Sequence, residues 1–381
     1  MRLFDKNLEE LRQKNLLRKI KDRGSLSGSR DASKILIGGV EYISFASNDY
    51  LGLAGSTELV EAAKKAIDAY GAGGGSSRLL AGGTEIHKEL EHSIAEFKSS
   101  EAALVLNSGY SANITAIPAI ADENCTIFSD ELNHASIIDG CRLSSAKKVI
   151  YRHADIEHLN ELMDQHEGKK IIVTESVFSM DGDIAPVAAL HRICKNHDAL
   201  LYLDDAHGTG VLGEGCGALK HFGIEPDSSI IQMGTFSKAL GSFGAFIAGE
   251  KAVIDWLINS GRGFIFSTAL PASVAAASLA AIKLIRMDKR LIEKLWTNRA
   301  RLFDGLQKLG FDTMKSETPI IPLNTGSIEN SLSLAQHLSD KGIYAPAIRP
   351  PTVHTPRIRL SVSASHNDED IERLLSILKE W

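Results

Sequence analysis

Ala199-Leu200-Leu201-Tyr202-Leu203-Asp204-Asp205-Ala206-His207-Gly208-Thr209-Gly210 is an apolar run that stops at two acids and passes through a histidine into glycines. A continuously apolar run of this length reads as a strand covered on both faces. The polar residues mark its carboxyl end, where open α/β sheets gather their ligands. Similar runs flank it: AALVL at 102–106, KKVI at 147–150, KIIVT at 170–174 and SIIQM at 229–233, alternating with helical patterns. That is the rhythm of βα units, so residues 51–289 are expected to form an α/β domain around a mostly parallel sheet sandwiched by helices.

Residues 1–50 read as an arm, with an amphipathic helix (Leu8, Leu11, Leu16) and a hairpin, KILIGGVEYISF, turning at Gly38-Gly39. Residues 290–381 read as a small α+β domain: a long charged helix, strands in PIIPL, IYAPAI and RIRLSV, and a last helix capped by Asn367. With 381 residues, 44% hydrophobic and 24% charged, the chain is neither disordered nor fibrous. Its 48 acidic and 42 basic residues, net charge -6, leave no cationic excess for a nucleic-acid backbone. The four cysteines, Cys125, Cys141, Cys194 and Cys216, form no C-x-x-C pair, which speaks against a zinc ribbon or a disulfide framework. His191, Cys194 and His197 make one loose helical stripe without a second ligand pair, so no metal is expected. Residues 271–285, Ala-rich and carrying Lys283, read as a buried helix rather than a membrane span. The opening residues mix acids and bases where a signal peptide has an apolar core, and a cytoplasmic location is expected.

The chemistry gathers around Met233-Gly234-Thr235-Phe236-Ser237-Lys238-Ala239-Leu240-Gly241, one lysine among small hydroxyl and glycine residues after an apolar strand. A lysine that condenses with an aldehyde must lose its proton, which burial or neighbouring cationic charge favours, and hydroxyls beside it suit a phosphate on the same ligand. That combination points to pyridoxal phosphate. An acid at the end of the 199–204 strand, facing a pyridine nitrogen, would keep that nitrogen protonated and the ring an electron sink. Gly208-Thr209-Gly210-Val211-Leu212-Gly213 formally satisfies G-x-G-x-x-G, but Glu214-Gly215-Cys216-Gly217 is a poor helix start, so these glycines read as a loop. Asn107-Ser108-Gly109-Tyr110 passes from strand into helix and offers free N–H groups to an anion, with Tyr110 able to add a hydroxyl or a ring. His134 begins a helix, read as capped by Asn133, and could stack on a bound ring.

Seven motifs stand in one order: SNDYLGL (47–53), GAGGGSSRLLAGG (71–83), NSGYSAN (107–113), NHAS (133–136), ESVFSMDGD (175–183), DDAHGTGVLG (204–213) and GTFSKALGS (234–242). On these residues the chain resembles the α-oxoamine synthases, pyridoxal 5′-phosphate enzymes of fold type I (aspartate-aminotransferase-like), over nearly its whole length. The resemblance implies that Lys238 condenses with the cofactor and later moves protons, Asp204 pairs with the ring nitrogen, and His134 stacks on the ring. It puts Ser179 and His207 at the 3′-oxygen, the backbone of Gly109 and Tyr110 with Thr235 and Ser237 at the phosphate, and Asn48 and Arg359 at the amino-acid carboxylate. Arg359 is two residues from Arg357 on a strand, hence on the same face, as a carboxylate clamp requires.

Within the family, AIRPPTV at 347–353 resembles the branch that joins a pimeloyl thioester, on coenzyme A or acyl carrier protein, to L-alanine in biotin synthesis. The resemblance thereby assigns Arg349, Thr352, Arg18 and Ser77 to the substrates. His354 departs from it, standing where a proline is usual. The implied reaction is a decarboxylating condensation by a homodimer, with segment 71–83 reaching the neighbouring site and with no nucleic-acid or membrane partner. The alternatives are another member of the family, first the one that makes 2-amino-3-oxobutyrate, and a catalytically silent partner subunit. The basic cluster Arg18, Lys19, Lys21 and Arg23 reads as a solvated helix face.

Overall fold

The computed structural model describes residues 4–26 and 31–381. The opening three residues of the expected arm, and residues 27–30 within it, lie outside the described residues. The chain divides into two compact units: residues 49–179 with 183–293, and residues up to 48 with 180–182 and 294–381.

The larger unit is built on a seven-stranded sheet. In chain order its strands are β1 (Ala102–Leu106), β2 (Cys125–Asp130), β3 (Lys147–Tyr151), β4 (Lys169–Glu175), β5 (Leu200–Asp204), β6 (Ile230–Thr235) and β7 (Ala245–Gly249). They lie in the order β1-β7-β6-β5-β4-β2-β3. The five strands from β6 across to β3 run parallel, and β7 is antiparallel to both of its neighbours. β2 and β7 are additions to the five apolar runs of the sequence. The edge strand β3 departs from the expected two-sided cover: Lys147, Lys148 and Ile150 are exposed, because an edge strand has a neighbour on one side only. Leu104, Ile117, Ile127, Ile171, Val173, Tyr202 and Ile247 share the core between the sheet and its helices.

Three local devices position the site. Ser108 caps helix α1 (Gly109–Ile120), its side chain accepting the Ser111 N–H at 3.1 Å. Helix α2 (Ala135–Leu143) is capped by His134 rather than by Asn133. Asn133 is instead buried in the sheet, donating to Ser129 Oγ and the Val173 carbonyl and accepting from Glu175 N. The residues after Lys238 turn sharply at Gly241, whose φ is 62°. A Cβ there would stand 2.3 Å from Ala54 N, so only glycine lets this loop lie flat on the turn of the SNDYLGL motif. Residues 208–213 form a loop of turns, not the start of a helix, consistent with rejecting a dinucleotide fingerprint.

In the smaller unit, Lys34–Ile37 and Val40–Ser44 form the expected hairpin, with Gly38 (φ 59°) and Gly39 (φ 84°) both in the left-handed region that a tight two-residue turn requires. The hairpin is no free arm: Ile343–Tyr344 pairs in parallel with Ile43 and Ser44. IYAPAI is therefore divided, since Ala347–Ile348 joins a second sheet with Arg357–Ser361 and Ile320–Asn324. The N-terminal helix is shorter than its apolar rhythm suggests, Asp5–Gln13, because Asn15 takes a left-handed φ of 54° and stops it before Leu16. The basic cluster thus lies on an exposed, non-helical segment. Asn367 caps the last helix, Asp368–Lys379, accepting from Asp370 N at 2.8 Å while Asp370 returns a bond to Asn367 N. Among the described residues no helix is long and apolar enough to cross a membrane; the Ala-rich segment is helix Ala272–Met287, with eight buried residues.

Candidate active site

Consecutive residues of extended chain point to opposite faces, and Asp204, which ends β5, and Asp205, which follows it, divide accordingly. Asp205 accepts from Lys98 Nζ at 2.7 Å, from Ser176 Oγ at 2.6 Å and from Thr209 Oγ1 at 3.0 Å. Lys98 and Asp205 are an enclosed ion pair, 0% and 1% exposed, with a structural role. Asp204 is left for chemistry. Its Oδ2 accepts from Asn113 Nδ2 at 2.8 Å and its Oδ1 from Ala206 N at 3.0 Å.

Burial raises the Asp204 carboxyl above its ordinary value, against the opposing pull of Lys238, Asn113, the Ala206 N–H and His134. Lys238 is half-buried, immediately after the exposed Ser237. Its charge also acts on His134 and on Glu175, so these four groups form one electrostatic cluster. Glu175, paired in register with Asp204 across β4 and β5, is displaced well above the usual carboxylate range, first by burial and then by repulsion from Asp204. Glu175 Oε1 accepts the His134 N–H at 2.7 Å.

His134 is an exposed residue, yet the protein around its imidazole desolvates it enough to lower its pKa; Asp204 opposes that shift and Lys238 adds to it. His207 is buried, with Nδ1 2.8 Å from the hydroxyl of Tyr50. Gly109 and Thr235 meet: a Cβ on Gly109 would come within 2.8 Å of Thr235 Cγ2, so the helix N-terminus and the end of β6 form one small-residue cradle. Ser179 is half-buried in the same unit. The Tyr110 hydroxyl is committed to Asp139, leaving this residue's backbone N–H as its contribution to the cradle.

A pyridoxal phosphate fits this donor set. A cationic ring nitrogen supplies the charge that the buried Asp204 lacks, a helix N-terminus with a threonine beside it suits a phosphate, and Lys238 stands within electrostatic reach of Asp204.

Residues 40–378 match the model of the family aminotransferase class I and II. The chain belongs to that family. Among class I and II aminotransferase relatives, a protein of Thermodesulfovibrio yellowstonii, provisionally named 8-amino-7-oxononanoate synthase, is 55% identical over 99% of this chain and 96% of its own. The 8-amino-7-oxononanoate synthase of Geobacter sulfurreducens is 45% identical over 97% of this chain and 95% of its own. A high-resolution structure of SPT with PLP, SPT being serine palmitoyltransferase, superposes with a TM-score of 0.93 at 29% identity, covering 99% of this chain and 96% of that one. The fold is that of the PLP-dependent fold type I enzymes, as the motifs led one to expect.

The remaining candidates of this family member lie in the smaller unit, apart from Ser77, which bridges to Thr268 in the larger one. Asn48 ends the first segment of the smaller unit. Arg359 is 6% exposed and donates to Ser361 Oγ at 2.7 Å. Arg357, 4% exposed on the same face, is held by Asp181 and the Met180 carbonyl. Neither is a solvated strand arginine. Three residues assigned to the substrates bind one another or the segment just before Arg18: Arg18 donates to Thr352 Oγ1 at 2.9 Å, and Arg349 donates to the carbonyls of Asn15 (2.7 Å) and Leu17 (3.2 Å). His191 and His197 take Asp227 and Asn160 as partners, and Cys194 is buried.

Sequence reasoning gave no role to Asn113, Ser136, Glu175, Tyr50 or Tyr202. Four of them lie inside the quoted motifs NSGYSAN, NHAS, ESVFSMDGD and SNDYLGL, which is the signal that could have found them.

Proposed function

We propose that this chain is a PLP-dependent acyltransferase that condenses a pimeloyl thioester with L-alanine, releasing carbon dioxide and the free thiol and forming 8-amino-7-oxononanoate for biotin synthesis. The observation that carries the reading is the buried carboxyl group of Asp204 at the end of β5 within electrostatic reach of Lys238, in a chain whose relatives bear that enzyme's name over nearly their full length. When bound, pyridoxal 5′-phosphate supplies the electron sink for negative charge at the α-carbon of alanine.

The chain's own residues do the rest. Lys238 Nζ tethers the cofactor aldehyde, then removes and returns the proton at the α-carbon. Asp204 holds a proton on the ring nitrogen by its negative charge. His134 covers the ring and offers its Nε2–H to the thioester carbonyl oxygen. Ser179 and His207 hold the 3′-oxygen, with Tyr50 orienting His207 through the 2.8 Å bond. Gly109 and Tyr110 N–H groups, Thr235 and Ser237 take the phosphate, and Asn48 and Arg359 take the alanine carboxylate. Arg18, Arg349, Thr352 and Ser77 shape the acyl and amino-acid subsites. The new bond joins the alanine α-carbon to the acyl carbon as the C–S bond breaks, and the alanine carboxylate leaves as carbon dioxide. We assign a homodimer, supported by large apolar side chains left open to solvent, Leu80 at 82% and Phe266 at 74%. A cytoplasmic location is supported by four cysteines that are all free.

Mass spectrometry of the products from alanine, glycine and serine, each with acetyl, succinyl, pimeloyl and palmitoyl thioesters, tests the reading. Fastest product from alanine and the pimeloyl thioester supports it. Fastest product from glycine and the acetyl thioester assigns the chain to the 2-amino-3-oxobutyrate branch, and absence of both cofactor and product makes it a silent subunit.

A further inference from the structure

Asn113 is completely buried, with 0% exposure, and a primary amide taken out of water needs partners for its oxygen and both N–H groups. It has all three. Oδ1 accepts the Tyr202 hydroxyl at 2.8 Å, and Nδ2 donates to Asp204 Oδ2 and to Ser136 Oγ, each at 2.8 Å. The orientation of the amide is settled by these neighbours: reversed, it would set an oxygen against the Asp204 carboxylate. Tyr202 and Asp204 are two residues apart on β5, so the amide cross-links one face of the strand that carries the acid.

The chain of bonds continues. Ser136 Oγ lies 2.8 Å from His134 Nδ1, and the Ser136 N–H lies 3.2 Å from the same nitrogen. A backbone N–H can only donate, so Nδ1 is an acceptor and the ring proton belongs on Nε2. Ser136 Oγ receives an Asn113 N–H and therefore turns its own hydrogen to Nδ1. Every donor thus points the same way, from Tyr202 through Asn113 and Ser136 to His134. Gly140, one turn beyond Ser136 on α2, permits this closeness: a Cβ there would stand 2.8 Å from the Asn113 carbonyl oxygen.

We propose that Asn113 is a positioning residue that ties the Asp204 carboxylate to the His134 imidazole, fixing the acid against rotation and the histidine as its Nε2–H tautomer. The role of that tautomer as donor to a substrate oxygen rests on the function proposed above. Protonating Nδ1 would break two hydrogen bonds, so the network favours neutral His134 among the charges that face it, Lys238 and Asp204.

The test uses the holoenzyme loaded with pyridoxal 5′-phosphate, with histidine 15N labels and two-bond 1H–15N spectra, His134 being assigned by His134→Gln. Wild type shows His134 as Nε2–H at neutral pH. Ser136→Ala spares the Asn113–Asp204 bond, mixes the tautomers and raises the His134 apparent pKa by about one unit, the equivalent of one hydrogen bond. It lowers kcat with alanine about tenfold at unchanged KM, and Ser136→Thr restores both the spectrum and the rate. Asn113→Leu additionally shifts the pH titration of the bound cofactor's visible band, by loosening Asp204. Tyr202→Phe, which removes only a hydroxyl, shifts the same titration to a smaller extent and carries this arm if Asn113→Leu does not fold. An unchanged His134 spectrum in Ser136→Ala, or an unchanged cofactor titration in both other variants, overturns the proposal. Should wild type take up no cofactor, the proposed function fails instead, and the His134 spectra of the unloaded protein still decide the network.

Discussion

Lys238 has the shortest path from side chain to outcome. Lys238→Ala is expected to remove the visible absorbance of the bound cofactor and to lower turnover by more than about 10³-fold, followed by spectroscopy and steady-state rates; retained turnover would remove this lysine from the scheme. His153 is a residue of another kind. Burial pulls its pKa down, but hydrogen bonds and charge from Asp130 and Asp183 outweigh that and raise it to about 10. A group whose folded pKa is raised lends its full stability below its unfolded value, here 6.5, and loses it as pH climbs through the folded value near 10. His153→Gln should therefore lower the urea midpoint most near pH 6, with the gap to wild type closing toward pH 10; a gap independent of pH would refute the ion pairing. Lys238, Asp204 and His134 were legible as residues because each sits at the end of an apolar run or the start of a helix. Asn113 was quoted within a motif, but its role depends on α1, α2 and β5 meeting, which no local pattern records.

At the scale of elements, the turn after Lys238 depends on one glycine. Gly241→Ala must adopt a left-handed φ and press its methyl on Ala54 N, at an expected cost of about 1–3 kcal/mol by denaturant unfolding, with faster loss of cofactor on dialysis. Stability equal to wild type would show that the loop can lift. The strands that sequence reading supplied were the runs of Val, Ile and Leu, which are buried on both faces except at the edge strand β3. β2, CTIFSD, mixes polar residues into its run, and β7, AFIAG, is short, with two alanines and a glycine. β7 is a strand because β1 and β6 hold it from either side, a tertiary cause that propensity does not carry.

For the whole molecule, light scattering during gel filtration should return twice the chain mass of 41.2 kDa, and a stable monomer would exclude the assigned homodimer. The order of the chain adds a consequence for how the protein is made. The hairpin strand Val40–Ser44 emerges early from the ribosome, but its neighbour Ile343–Tyr344 comes almost last, and Phe45 shares its core with Leu302, Ile321 and Leu360. Until translation is nearly complete, the nascent hairpin presents an unsatisfied edge. A message cut short before codon 343 would release a polypeptide with that edge permanently bare, a substrate for chaperones and for clumping rather than a weakened enzyme.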